Sequence, residues 1–183
     1  MSTATHTLAG AYTADPDHSS FQATLRHMGV GTFRTGFHDV EARLEPTVSG
    51  HRLIGSATVA SIDIKRPPEF RTHVVEGADL FDAGNHPEIT FESGELLLGE
   101  SGAVELAGTL SIKGIEKAVS AAGVYRQPVR DIYGKLRGAL DLTATIDRRD
   151  WGMDFQAELP GGGEVLSWAV ELSVHLELVA DGS

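Results

Sequence analysis

The residues in this sequence that could most readily do chemistry are Asp17, His18 and Ser19, followed by His27. An acid, an imidazole and a hydroxyl are the groups of a hydrolase triad, but neighbours on an extended chain point in different directions and cannot assemble one. The chain also has no Gly-x-Ser-x-Gly segment, the sharp turn that exposes a nucleophilic serine. We therefore interpret Asp17 and Ser19 as turn residues that bond to the backbone, and we predict no catalytic residue. The alternative is an enzyme that acts on a hydrophobic substrate through Asp17, His18 and His27.

His27 shares its alternating phase with Phe21, Ala23 and Leu25, so its side chain should point toward an apolar interior. A buried imidazole needs a hydrogen-bond partner, and most such histidines are satisfied core residues. An inward histidine can also hold the polar head of a ligand or a haem iron. Both interpretations stay open at the level of sequence.

Composition disfavours several other kinds of site. The chain has no cysteine, which removes thiolate ligands and thiol nucleophiles, and its eight histidines form no His-Glu-x-x-His pattern, so we predict no metal and no cofactor. With 26 acidic and 15 basic residues the formal net charge is -11, which argues against nucleic acid as a partner. The start of the chain lacks the parts of a signal peptide, and no apolar run reaches spanning length. We expect a cytoplasmic protein without stable membrane insertion.

Long strands with one apolar face must position these residues. Between Leu166 and Leu178 every second residue is large and apolar, and the others are Ser, Ala, Glu or His, which marks a strand with one dry and one wet face. The pattern recurs at Val104–Ile112 and Leu136–Ile146, and glycines stand between many of the runs, as in an antiparallel sheet closed by turns. The predicted strands are Leu8–Thr13, Ser20–Met28, Thr32–Glu45, Arg52–Ile64, Glu88–Leu98, Ala103–Ile112, Lys117–Gln127, Lys135–Asp147 and Val165–Val179.

One segment, Arg71–Ala83, breaks the alternation. The spacing of Val74, Val75, Leu80 and Phe81 predicts a short helical insertion at residues 71–83. The remaining pattern favours one all-β domain over residues 1–183, with its core at roughly 8–179, closed as a barrel or folded as a two-sheet sandwich.

Further motifs stand along the chain in order. They are Tyr12 with Asp17-His18-Ser19, Arg26-His27-Met28, Gly36-Phe37, Asp79-Leu80-Phe81-Asp82, the segments 86–93 and 108–114, and Arg148-Arg149-Asp150-Trp151-Gly152. Taken together, from about Leu8 to Val179, they resemble the YceI-like family. The resemblance implies an elongated, lipocalin-like antiparallel β-barrel of about eight strands around an apolar tunnel.

The resemblance also implies that the tunnel binds, stores or transports a long apolar lipid without catalysis. The expected partner is a long-chain isoprenoid, of the prenyl quinone or prenyl phosphate type, or a similar amphiphile, and the protein should be a monomer or a homodimer. The residues predicted to line the tunnel are Phe21, Ala23, Leu25, His27, Phe33, Phe81, Phe91, Leu110, Leu140, Leu142, Trp168, Val170 and Leu172. Two alternatives are a haem or small-molecule redox barrel that uses His27, and an interaction scaffold whose interior is filled by side chains.

Overall fold

A computed structural model describes residues 9–96, 98 and 102–182. Leu8, the first residue of the predicted first strand, and position 97, within the predicted strand Glu88–Leu98, lie outside the described residues. The elements are β1 (Tyr12–Ala14), β2 (Ser20–His27), β3 (Gly31–Phe37), β4 (Val40–Pro46), β5 (His51–Thr58), α1 (Pro68–Glu76), β6 (Glu88–Ser93), β7 (Ala103–Ile112), β8 (Ile115–Arg130), β9 (Leu136–Asp147) and β10 (Ala169–Ala180). Short 3-10 turns occupy Val59–Ser61 and Arg148–Trp151.

Eight of these strands close into an antiparallel barrel. The strands β1, β4, β5, β6, β7, β8, β9 and β10 pair in that order, and β10 pairs back to β1 through Ala180 and Tyr12. The hairpin of β2 and β3 lengthens the wall, because β2 pairs with β10 from Ser20 to Thr24. The predicted all-β, lipocalin-like barrel is therefore confirmed.

The predicted strand Thr32–Glu45 is wrong as a single element, because the chain bends at His38 and Asp39 between β3 and β4. Asp39 accepts hydrogen bonds from Thr58, through its carboxylate from Thr58 Oγ1 (2.7 Å) and through its carbonyl from Thr58 N (3.0 Å). The predicted strand Arg52–Ile64 likewise ends early, at Thr58, where the 3-10 turn begins. The side-chain and backbone bonds between Asp39 and Thr58 thus stand where the alternation looks continuous in the sequence.

The turn between β1 and β2 was predicted correctly in place but not in all its residues. Ser19 Oγ accepts a hydrogen bond from Glu177 N (3.1 Å), so it bonds to the backbone as predicted, but to that of β10 and not to that of the turn. The side chain that holds the turn from within is Asp15, which accepts from Asp17 N (3.1 Å), whereas the Asp17 side chain is exposed.

The last strand begins at Ala169, so the prediction of a start at Val165 is wrong. Arg148 Nε donates to the carbonyl of Ser167 (3.1 Å), Arg148 Nη2 to that of Leu166 (3.3 Å) and Arg148 N to that of Trp168 (3.0 Å). These bonds to Arg148 lie just beyond Ala169 and Asp147, the last pair in the ladder between β10 and β9. The longest strand is β8, with 16 residues.

The helical insertion exists, with different bounds from the predicted 71–83. The helix α1 begins at Pro68, because proline is well suited to the first helical turn, and it ends at Glu76. Gly77 follows, where a Cβ atom would stand 2.5 Å from the carbonyl oxygen of His73. Turns then carry Leu80 and Phe81 back toward the barrel. Within the described residues, no helix has the length and apolar character needed to cross a bilayer.

Candidate functional site

The barrel interior contains two apolar cavities that lie one above the other. The upper cavity, of about 90 Å³, lies beneath α1, and the lower cavity, of about 110 Å³, lies deeper in the barrel. The upper cavity is lined mainly by Phe21, Ala23, Leu25, Phe33, Phe37, Ile62, Ile64, Phe70, Val74, Leu80, Phe81, Ile89, Leu110, Ile112, Ile146, Met153, Leu166, Val170 and Leu172. The lower cavity is lined mainly by Phe21, Val40, Ala42, Leu53, Ala57, Ile89, Phe91, Leu106, Leu110, Val119, Ala121, Leu142, Ala144, Leu172, Val174 and Leu176.

The lower cavity exists because several inward positions at its level carry small residues. Ala42 on β4 faces Gly55 on β5, and Ala121 on β8 faces Leu106 on β7. Ala144 on β9 faces Leu172 on β10. Small side chains on several strands leave space that the remaining leucines do not fill, since an eight-stranded barrel is just wide enough either to pack its interior or to hold one ligand.

The upper cavity is enclosed by aromatic rings and by the α1 segment. Phe70 of α1 meets Phe33 edge to face with ring centroids 6.1 Å apart, and Phe81 meets Phe37 in the same way at 6.1 Å. His73 Nε2 lies 2.9 Å from Asp79 Oδ1, which ties the helix to the turn that carries Phe81. The α1 segment therefore forms the cover of this end of the barrel.

The opposite end of the barrel is filled by side chains. Leu44, Leu140, Leu176 and Leu178 are each at most 1% exposed and pack together there. The hydroxyl of Tyr125 is buried in this cluster and has no hydrogen-bond partner among the described residues. Burial, with a smaller effect from neighbouring Tyr12, raises the pKa of Tyr125, so the phenol stays neutral. The lower cavity therefore ends on a solid floor.

Arg148 is the one charged side chain on the upper cavity wall within the described ranges. It is 2% exposed, and its guanidinium donates to the carbonyls of Ser167 (3.1 Å), Phe155 (2.8 Å), Leu166 (3.3 Å) and Met153. Burial lowers the pKa of Arg148, although it remains protonated because the ordinary arginine pKa is so high. The wall of the upper cavity is thus apolar apart from Thr35 and this one positive charge.

Most of the residues predicted to line the tunnel do lie on the cavity walls. Those on the walls are Phe21, Ala23, Leu25, Phe33, Phe81, Phe91, Leu110, Leu142, Val170 and Leu172. That a ligand touches them stays a prediction.

Three predicted lining residues lie elsewhere. Leu140 is in the filled end of the barrel, one inward position beyond Leu142 on β9. Trp168 precedes β10 and is half-buried, with its ring against the guanidinium groups of Arg148 (4.3 Å) and Arg149 (4.9 Å). His27 ends β2 in a bridge with Leu166 and is only partly buried. The structure therefore does not place these three side chains on either cavity wall.

The residues considered for catalysis are not brought together. His18 precedes β2 and His27 ends it, and the eight residues of β2 span roughly 26 Å at the usual rise per residue. The imidazole of His18 lies instead 3.3 Å from Asp15 Oδ2.

One acidic cluster has the spacing of a metal site, but its two carboxylates bond to an arginine side chain. Ligand atoms of Asp15, His18 and Glu177 lie within 4.8 Å of one another. Arg137 Nη1, however, donates to both carboxylates, at 2.6 Å to each. The arginine thus already supplies the positive charge that these carboxylates attract, and the arrangement is an ion-paired network.

Sequence reasoning missed several wall residues that the alternation could have found. Leu106 and Ile112 share the inward phase of Leu110 on β7, and Ile146 shares that of Leu142 on β9. Phe70 and Val74 gave no such signal, because their position over the barrel depends on the fold of the α1 segment.

A larger concavity lies outside the barrel. It measures about 1050 Å³ and crosses the outer face of β4 to β7, where Glu41, Arg43, Glu45, Glu92 and Thr109 are among its walls. These side chains are solvated, and Arg43 lies 3.6 Å from Glu45 in an exposed ion pair. The interior cavities are the better candidate site because they lie inside the barrel and their walls are almost wholly apolar.

Comparison with known proteins identifies the family and the fold. A model of the YceI-like domain matches residues 12–178. UPF0312 protein SA2479 of Staphylococcus aureus strain N315 is 25% identical over 171 residues, which cover 91% of this chain and 95% of that protein. The crystal structure of Burkholderia cenocepacia BcnA has a TM-score of 0.72 and 21% identity, and the match covers 91% of this chain and 99% of BcnA. A polyisoprenoid binding domain from Saccharophagus degradans has a TM-score of 0.68 and 12% identity, covering 93% of this chain and 98% of that one.

Proposed function

Because this chain belongs to the YceI-like family, we propose that it binds an isoprenoid lipid whose apolar chain lies inside the barrel. The observation that carries the proposal is the pair of apolar cavities in line along the barrel interior. The Saccharophagus degradans neighbour, described as a polyisoprenoid binding domain, supports the same class of ligand.

The free energy of such binding would come from removing the chain from water. Burial of each methylene group contributes about 0.8 kcal/mol, so one isoprene unit of roughly five carbons contributes about 4 kcal/mol before the cost of ordering the chain and the protein. No chemical step is needed for tight binding, and we propose a binding protein that stores or carries its ligand.

The polar head of the ligand would lie at the upper cavity, near Arg148. Among the described residues this guanidinium donates only to backbone carbonyls, and its charge is not neutralised by an ion pair. A phosphate or a quinone carbonyl approaching this end would meet a positive potential in apolar surroundings, where electrostatic interactions are strong. A prenyl phosphate or a prenyl quinone would therefore suit the site.

The other functions considered from the sequence have less support. A haem barrel would need an axial ligand on the wall, and no histidine lines either cavity within residues 9–96, 98 and 102–182. A scaffold with a filled interior would be close-packed, whereas the small residues Ala42, Gly55 and Ala121 line a cavity.

Organic extraction of the purified protein, followed by mass spectrometry, tests the proposal. The expected result is a prenyl species near one mole per mole of protein, and uptake of farnesol by the stripped protein. An empty extract together with no uptake of either geraniol or farnesol would overturn it. Extraction of an unrelated barrel protein purified in parallel controls for lipid carried over from the cell.

A further inference from the structure

The two cavities share four wall residues, and we propose that Phe21, one of the four, forms a constriction between them and limits the length of isoprenoid chain that the barrel accepts. This inference rests on the proposed function. The walls of the upper and lower cavities share Phe21 of β2, Ile89 of β6, Leu110 of β7 and Leu172 of β10. We call these residues the waist.

Phe21 is the one aromatic residue of the waist. Ile89 faces Ala57 across its strand pair, and Leu172 faces Ala23 and Ala144, so these two side chains have small neighbours. Phe21 faces Phe37. Leu110 faces Phe91, which lines only the lower cavity, so Phe21 is the bulkiest side chain that the two cavities share.

Contacts with other aromatic rings hold the Phe21 ring in place. It stacks on Phe37 with centroids 5.4 Å apart and an interplanar angle of 24°. Phe37 is 7% exposed and is held in turn by the edge-to-face contact with Phe81 beside α1. Rotation of Phe21 would therefore require Phe37 to move, and Phe37 is packed against the cover of the barrel.

The cavity volumes set the length of chain that fits without such a movement. A dry apolar cavity of about 150 Å³ takes up benzene, so cavities of about 90 and 110 Å³ each hold roughly one isoprene unit. A geranyl chain, with two units, would occupy both sides of the waist. A geranylgeranyl chain would have to displace Phe21 or leave part of itself outside. From the sequence we expect a long isoprenoid chain, and we propose instead that the preferred ligand has a short one.

Native mass spectrometry of the stripped full-length protein with an equimolar mixture of geraniol, farnesol and geranylgeraniol tests this inference. The wild-type protein should bind geraniol in preference to geranylgeraniol. Phe21→Ala, which joins the cavities, should raise the ratio of bound geranylgeraniol to bound geraniol by at least about tenfold. The matched control is Tyr133→Ala, which removes an exposed ring that lies on neither cavity wall and should change the ratio by less than about twofold.

Two further variants keep the test decisive if Phe21→Ala does not fold. Phe21→Leu should raise the same ratio, and Phe21→Trp should lower it. Equal ratios for the wild-type protein and the folded Phe21 variants, with clear binding of some prenyl alcohol, would overturn the role of Phe21 and leave the proposed function standing. Absence of binding of every alcohol to every variant would overturn the proposed function and this inference with it.

Discussion

The ring of Phe91 on β6 lies so close to Gly108 on β7 that a Cβ atom at Gly108 would stand 2.6 Å from Phe91 Cζ. The same Cβ would stand 2.6 Å from the carbonyl oxygen of Glu92. Phe91 therefore occupies the space that a side chain at Gly108 would take, and its ring forms part of the lower cavity wall. Glycine is required here by packing.

Replacement of this glycine should strain the cavity wall. We expect Gly108→Ala to lower the free energy of unfolding by about 1–3 kcal/mol, because the Phe91 ring and the backbone must both shift. Urea unfolding measures the change. Gly94→Ala is the matched control, since its Cβ would lie an ordinary 3.6 Å from the carbonyl of Ala107. Equal stability of the two variants would mean that the Phe91 ring does not lie as close to Gly108 as described.

Trp168 and Val170 share one phase of the sequence alternation, but β10 begins between them, at Ala169. We therefore expect substitutions at these two positions to affect ligand binding differently. Val170 is 7% exposed and lines the upper cavity, whereas Trp168 lies outside it against two arginines. Val170→Asp should abolish binding of prenyl alcohols and lower the free energy of unfolding by about 3 kcal/mol or more, because it buries a carboxylate. Trp168→Asp should keep the dissociation constant of the uncharged prenyl alcohols within about twofold, because position 168 lies on neither cavity wall. Loss of binding in a folded Trp168→Asp protein would show that the tunnel extends past Ala169.

Arg137 connects three parts of the chain and should make stability depend on acid pH. Its Nε donates to Asp131 Oδ2 (2.8 Å), in addition to the bonds of its Nη1 to Asp15 and Glu177. Hydrogen bonds from Arg137 are the main cause of the lowered pKa of Asp15 and of Asp131. A carboxyl whose pKa is lower in the folded state stabilises the protein above its unfolded pKa of about 3.9, and this stabilisation is lost as the pH falls through the folded value.

The wild-type protein should therefore melt at a higher temperature than Arg137→Met at neutral pH, and the difference should shrink as the pH falls below about 4. Thermal unfolding at several pH values measures this. Lys65→Met serves as the control, because the Lys65 side chain is 83% exposed and lies 3.8 Å from Asp63. A difference between wild type and Arg137→Met that stays constant with pH would mean that the ion pairs do not contribute.

The unpaired hydroxyl of Tyr125 should cost stability. Removing a buried group that has no hydrogen-bond partner also removes its desolvation penalty, so Tyr125→Phe should leave the free energy of unfolding unchanged or raise it by up to about 2 kcal/mol. Tyr133→Phe changes an 81% exposed residue and should have no effect. A clear loss of stability in Tyr125→Phe would reveal a partner for the hydroxyl, such as a buried water molecule.

The barrel was predictable because alternation reports which face of each strand is buried. Leu106, Leu110 and Leu142 follow that rule, and the closed sheet follows from many such strands. The ends of some strands could not be predicted, because a side chain distant in sequence bonds to the backbone carbonyls there. Arg148 holds the carbonyl of Leu166 from 18 residues away, and no local pattern announces that contact.

The alternation predicts which side chains point into the barrel. It does not predict how far along the barrel axis each of them lies. Leu140 and Leu142 share one inward phase, yet Leu140 belongs to the filled end and Leu142 to the cavity wall. Depth depends on the register of β9 with β10, where Leu140 pairs with Leu176 and Leu142 with Val174. At a given height in the barrel, the interior is filled or left as a cavity according to how many small residues the other strands place there. That placement depends on the strand register, which only the folded barrel shows.

Methyl NMR of the stripped protein with added geraniol tests most directly whether an isoprenoid lies inside the barrel. We predict nuclear Overhauser effects between the geraniol methyl groups and the methyl groups of Ile89, Leu110 and Val170, which lie on the cavity walls. Val48 and Ile132 are exposed and should show none. Effects confined to Val48, Ile132 or other surface methyl groups would contradict the account.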